Sequence, residues 1–196
     1  MRHPMTPNYH EYPSFEESAD FEPWREEQAM QVLTWDEFKA NVEGWAEARE
    51  IYQNGSAWSQ AFKAAEEAGE LMGAVAKGDI DEQKDAVGDI LVCLVNYCKM
   101  AKLSMASPVM EEDYSGTTPA HYAAEVNFEV SRLALTSFSD DVTGYHNCVW
   151  AALAFLSAFC TASGFDVMEC CTKAWNEIKD RKGRMVEGGA FIKEED

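Results

Sequence analysis

The chain has 196 residues, an apolar fraction of 46% and a formal net charge of −19, from 35 acidic against 16 basic residues. That length and apolar content suit one substantial domain with a real core and exclude global disorder. The acidic balance excludes a general grip on nucleic-acid backbone or on an anionic membrane surface, since both need a basic face.

Residues 1–33 carry Pro4, Pro7, Pro13 and Pro23 among acids and scattered aromatics, and no helical period survives them. An extended acidic arm is expected there, with no signal-peptide pattern. Thr34 with Glu37 three residues on is a capping-box start. The following helix buries Phe38, Val42, Trp45, Ala46 and Arg49 and runs to the Asn54-Gly55-Ser56 turn. A second helix spans residues 57–77, with Trp58, Phe62, Ala65, Gly69, Met72 and Ala76 as its expected packing side. Small residues, from Ala64 to Ala74, permit a close partner helix, and Gly78-Asp79 ends it. A third helix runs from about 81 to 102 and is apolar nearly all round after Asp89, so Asp89 is expected at the core edge.

A loop follows to about residue 119. Helical register resumes over 121–137, an apolar helix spans 146–162, and an amphipathic one spans 166–182. The run Cys148 to Ala162 is too short to span a bilayer. None of the six cysteines, Cys93, Cys98, Cys148, Cys160, Cys170 and Cys171, forms CxxC, so buried reduced thiols and a cytoplasmic compartment are expected. The expected organisation is an arm (1–33), one all-α domain (34–186) and a loose tail (187–196). The domain holds a helix pair over 57–103, a degenerate second pair over about 121–163 and the last helix. The second pair is suggested by Glu125-Val-Asn-Phe-Glu129, which echoes Glu66-Glu-Ala-Gly-Glu70.

The chemistry concentrates between residues 61 and 105. Glu66, Glu67 and Glu70 share one broad face of the second helix, and Asp85 and Asp89 stand at i, i+4 on the third. Like charges at this spacing cost about 0.2–0.5 kcal/mol per pair. A solvated pair of helix faces tolerates that cost; a seam between packed helices does not, unless cations neutralise it. Oxygen donors with no His or Cys beside them fit Mg²⁺ or Mn²⁺, and the chemistry they imply is metal-assisted phosphoryl hydrolysis.

The pattern Trp45…Arg49…Gln60…Lys63…Glu66-Glu67-Ala-Gly-Glu70-Leu, then Asp85-Ala-Val-Gly88-Asp89, resembles the MazG-type all-α nucleoside triphosphate pyrophosphohydrolases. Residues 174–185 are similar to the last helix of phage-encoded members, and the dimeric dUTPases show related fused repeats. The resemblance covers about residues 38–105 and 164–186. It implies an all-α helical bundle that hydrolyses a nucleoside triphosphate, such as dGTP, dUTP or a damaged nucleotide, to the monophosphate and pyrophosphate. It implies Mg²⁺, with Mn²⁺ as substitute, held by Glu67, Glu70, Asp89 and Asp85. Glu66 and Glu67 stand in the catalytic positions with Lys63 beside them. Lys179, Arg181 and Arg184 would meet phosphates, Asn176 sugar or base, and Trp45, Arg49 and Gln60 the nucleobase. One departure is visible: the first acid of the ExxD pair falls on Ala86, with Asp85 or Glu82 as stand-in. The resemblance also implies a homo-oligomer, a dimer or higher, in the cytoplasm, or the host cytoplasm if virus-encoded. The competing expectation is a non-catalytic nucleotide-sensing or acidic interaction module on the same fold.

Overall fold

Local capping chemistry sets where most of the long helices start. A computed structural model describes residues 31–109, 116–139, 142–186 and 191–193. The first helix, α1 (Trp35–Ala48), begins at a complete capping box: Glu37 accepts from the Thr34 backbone N–H at 2.9 Å while the Thr34 hydroxyl accepts from the Glu37 N–H. Ser56 caps α3 (Ala57–Lys77), and Gly78, at φ 71°, ends it in the left-handed conformation that costs glycine no Cβ clash. Asp79 caps α4 (Ile80–Ala101) by accepting from the Glu82 N–H at 3.2 Å. Thr118 caps α5 (Pro119–Thr136), whose first residue is the proline that fits there. After α6 (Val142–Ser163), Asp166 caps α7 (Val167–Ile178).

The expected all-α bundle forms, and α4 is its axis. Every residue from Ile90 to Cys98 is buried, because α3, α1 and α7 all pack on this helix. The α3–α4 pair joins the α5–α6 pair through contacts between α3 and α5. These lie in one compact unit, Val32–Asp196. The arm falls outside the described residues as far as residue 30. Among the described residues no single helix is long and apolar enough to cross a membrane. All six cysteines are buried and free.

Four expectations need correction. The packing side of α3 is the opposite one: Ala61, Ala64, Ala68 and Leu71 are fully buried, whereas Trp58 and Phe62 are 44% and 47% exposed. Packed against both α4 and α5, α3 has room there only for thin side chains, so its bulky stripe stays outside. Gly69 and Gly73 accordingly face no neighbour within 4 Å. The close approach falls on α4 instead, where a Cβ on Gly88 would lie 2.6 Å from the Cys170 carbonyl oxygen and from the Ala174 Cβ of α7.

The first helix is also shorter than expected. It stops at Ala48, Glu50 turns left-handed at φ 58°, and a single turn, α2 (Ile51–Asn54), carries the chain on. The break lets the Arg49 carbonyl accept from the Met185 N–H at 2.8 Å. The last helix likewise stops at Ile178 rather than Lys182, and the chain turns through Lys179–Arg181 into a strand. Finally, the tail is not merely loose: β1 (Gly183–Met185) pairs antiparallel with β2 (Phe191–Lys193), a small ribbon appended to the helices.

Gly88→Val is therefore expected to destabilise by about 1–3 kcal/mol through overpacking. Gly73→Ala, in open space on a helix, should stabilise by up to about 1 kcal/mol. Thermal melts check both, at about 2–4 °C per kcal/mol for a chain of this size.

Candidate functional site

The face of α3 that looks at α4 carries Gln60, Lys63 and Glu67 at i, i+3, i+7. The facing stripe of α4 carries Asp89 and, two turns on, Asn96. Trp45 comes from α1 and Arg181 from the turn after α7. Together they line a cavity of about 430 Å³. Sequence positions from 45 to 181 thus converge because α1, α3 and α7 all lean on α4.

Glu67 is the pivot. It is only 6% exposed, and the Lys63 Nζ lies 2.8 Å from one of its oxygens and 3.0 Å from an oxygen of Glu66. Burial works against charge on Lys63, but the hydrogen bonds and attraction of Glu67 and Glu66 outweigh it and raise its pKa. Burial pushes the Asp89 carboxyl up to about 7, reinforced by Glu67, Asp85 and Glu177 and opposed by Arg181. Glu70 is raised mainly by repulsion from Glu67, then by burial, against the pull of Lys63. The cluster therefore holds more negative charge than Lys63 and Arg181 balance.

The donor chemistry fits a hard divalent cation: carboxylate oxygens whose mutual repulsion such a cation would relieve. Glu67 and Asp89 line the cavity and Glu70 stands one turn from Glu67, so these are the residues that could hold one. Among the described residues, no group of three or more His, Cys, Asp or Glu is gathered as a ready-made cage.

The other candidates distribute unequally. Glu66 stands exposed on the rim with Lys63. Glu70 faces a groove beside Gly69 and Gly73. Asp85 is engaged by α7, accepting from the Lys173 Nζ at 2.6 Å, and Lys173 also reaches Glu177 at 3.1 Å. Ala86, where the motif has an acid, is buried in the core. Arg49 acts as a strut: its Nε donates to the Arg181 carbonyl at 2.7 Å, and its guanidinium lies 4.9 Å over the Trp45 ring. Of the C-terminal cations only Arg181 lines the cavity. The Lys179 Nζ donates to the exposed Asn176 side chain at 2.8 Å, and Arg184 is exposed on β1.

Sequence reasoning missed three participants. Asn96 hides in an apolar run, legible only as the residue two turns beyond Asp89 on the same stripe. Tyr52, whose hydroxyl donates to the Asn96 Oδ1 at 2.7 Å, sits on the unexpected turn α2. Lys173, the partner of Asp85, reads as an ordinary polar position of an amphipathic helix.

The comparisons with known proteins bear on the same stretch. The sequence model of the MazG nucleotide pyrophosphohydrolase domain matches residues 59–111. A protein of Haemophilus phage HP1 (strain HP1c1), named as an uncharacterized 18.2 kDa protein in the rep-hol intergenic region, is 41% identical over 59 residues. That match covers 30% of this chain and 36% of the relative, so the chain spans about a third of the length of the relative it matches. No solved structure matches. The matched stretch covers nearly all of α3, all of α4 and the acids they carry, so over residues 59–111 this all-α chain is similar to the MazG nucleotide pyrophosphohydrolase domain.

Proposed function

We propose that the protein hydrolyses a nucleoside triphosphate between its α- and β-phosphates, releasing the monophosphate and pyrophosphate. The observation that carries this reading is the cavity itself, where buried Glu67 and half-buried Asp89 face Lys63 and Arg181 beneath an aromatic wall. Acids alone would repel a triphosphate, and cations alone would bind it without activating water.

Each residue has a task. Glu67, Glu70 and Asp89 would hold Mg²⁺, or Mn²⁺ in its place, with Asp85 in reserve on its Lys173 tether. The cation, when bound, supplies Lewis acidity at a phosphoryl oxygen and neutralises charge. Water attacks the α-phosphorus, the bond to the bridging oxygen breaks, and pyrophosphate leaves with that electron pair. Glu66, exposed beside the cavity, takes the proton of the water. Lys63, released from its carboxylates, and Arg181 meet the phosphate charge. Trp45, braced by Arg49, offers the base a flat wall. The substrate is a deoxynucleoside triphosphate of the dGTP or dUTP kind, the compartment the cytoplasm, or the host cytoplasm if virus-encoded, and the working form a homo-oligomer.

A second reading, a domain that senses a nucleotide without cleaving it, is favoured by one observation: the motif acid is replaced by buried Ala86, and its stand-in Asp85 is already paired with Lys173. Pyrophosphate release from a panel of nucleoside triphosphates with Mg²⁺ separates the two. The hydrolase reading expects release that EDTA stops and that Glu67→Gln lowers by at least about a hundredfold. Binding without release from any nucleotide would favour the sensor.

Stability provides an independent check. A free aspartate has a pKa of about 3.9, whereas Asp89 is held near 7. An acid with a raised folded pKa costs stability above that pKa, and the cost disappears as pH falls below the unfolded value. Asp89→Asn in EDTA should therefore raise the melting temperature at about pH 8, with the gain shrinking from about pH 7 down and absent at about pH 4. Mg²⁺ should raise the melting temperature of the wild type and leave that of Asp89→Asn nearly unchanged. A variant that melts lower than wild type at about pH 8 would contradict this account of Asp89.

A further inference from the structure

The cavity has a polar end away from the carboxylates. Asn96 is 2% exposed and Gln60 8% exposed, and both line the cavity. Buried amides normally find partners, because an unpaired one loses its hydration for nothing. Here the Tyr52 hydroxyl donates to the Asn96 Oδ1 at 2.7 Å, and that is the one side-chain hydrogen bond Asn96 makes among the described residues. The Gln60 amide makes none there. Two buried amides thus keep hydrogen-bonding capacity beside the Trp45 ring.

The Tyr52 bond gives this capacity a sign. With Oδ1 turned to Tyr52, the NH₂ is the end of the Asn96 amide that makes no hydrogen bond among the described residues, and it is a donor. Burial, with Glu43 and Glu47 nearby, raises the Tyr52 pKa, so the phenol keeps its proton and keeps donating. Gln60 has no such lock and rotates to suit what it meets.

We propose that Asn96, oriented by Tyr52, selects nucleobases that present an exocyclic carbonyl where adenine and cytosine present an amino group: 6-oxopurines and 4-oxopyrimidines. This rests on the hydrolase reading only for the nucleotide nature of the ligand, since base discrimination needs neither the cation nor turnover. An amino group opposite Asn96 sets donor against donor and leaves two buried groups unpaired. Such mismatches are the kind that polar pockets reject strongly. Tyr52 is a positioning residue, because it acts through Asn96.

The test is the binding of dGMP, dUMP, dAMP and dCMP to the full chain in EDTA, measured by calorimetry. The wild type is expected to bind dGMP and dUMP at least about tenfold tighter than dAMP and dCMP. Asn96→Asp puts an acceptor in place of the donor and should reverse the ranking. Tyr52→Phe, which removes only the hydroxyl, should narrow the gap to within about threefold by freeing the amide to turn. A merely structural Tyr52 would weaken all four ligands alike. Equal affinities in the wild type, a ranking unchanged in Asn96→Asp, or binding of none of the four would overturn the inference. A chain that releases pyrophosphate from triphosphates without base preference loses this inference and keeps the hydrolase reading. A chain that sorts the monophosphates as expected but releases no pyrophosphate keeps this inference and loses that reading.

Discussion

Everything at the site depends on one costly placement: the Glu67 carboxylate, nearly sealed between α3 and α4, with Lys63 one turn away on its own helix. Burying a carboxylate without compensation is prohibitive, and breaking a buried pair typically costs several kcal/mol. The single lysine meets that demand for Glu67 and Glu66 but not for the half-buried Asp89 opposite. Repulsion left over on Asp89 and Glu70 is what fits the seam to a cation, on the reading we propose. By contrast, the α5–α6 pair shows the same problem solved without surplus. Glu129 is buried as deeply as Glu67, and one guanidinium nitrogen of Arg132 donates to both its oxygens, at 2.9 and 3.0 Å. One buried acid with its own arginine is matched in charge; several acids around one lysine are not.

The fold serves this placement through α4. Its buried stretch from Ile90 to Cys98, apolar but for Asn96 and the Tyr97 hydroxyl, anchors three helices, so residues far apart in sequence meet along it. Gly88 lets the α7 backbone come close one residue before Asp89. The turn after α7 then delivers Arg181, while Arg49 clamps the Arg181 carbonyl and braces Trp45. Cation, aromatic wall and acid are thereby held by a single network.

Much of this was legible in the sequence. Caps, glycines and apolar periodicity gave the helices and their approximate ends; charge spacing pointed to Glu66, Glu67, Glu70, Asp85 and Asp89, of which Glu67 and Asp89 line the cavity, and the resemblance added Lys63. The failures have common physical causes. The α3 stripe was misassigned because bulk was read as burial, when a helix wedged between two neighbours buries its alanines. The Arg49–Glu50 break and the early end of α7 depend on contacts between residues more than a hundred positions apart, which local propensity does not contain. Asn96 and Tyr52 were invisible because an amide and a phenol gain their meaning only from facing each other. Lys179 and Arg184 were grouped with Arg181 by sequence proximity, but the turn and the strand point the chain in different directions there.

The central claim is that the Asp89 carboxyl is held in a self-repelling acid cluster that a divalent cation relieves. Carbon-13 NMR titration of the aspartate side chains, assigned with Asp89→Asn, reads this directly. The account predicts that Asp89 titrates near 7 in EDTA and falls well into the ordinary carboxylate range when Mg²⁺ is added. An Asp89 that titrates at about 4 without cation, or near 7 whether or not Mg²⁺ is present, would contradict it.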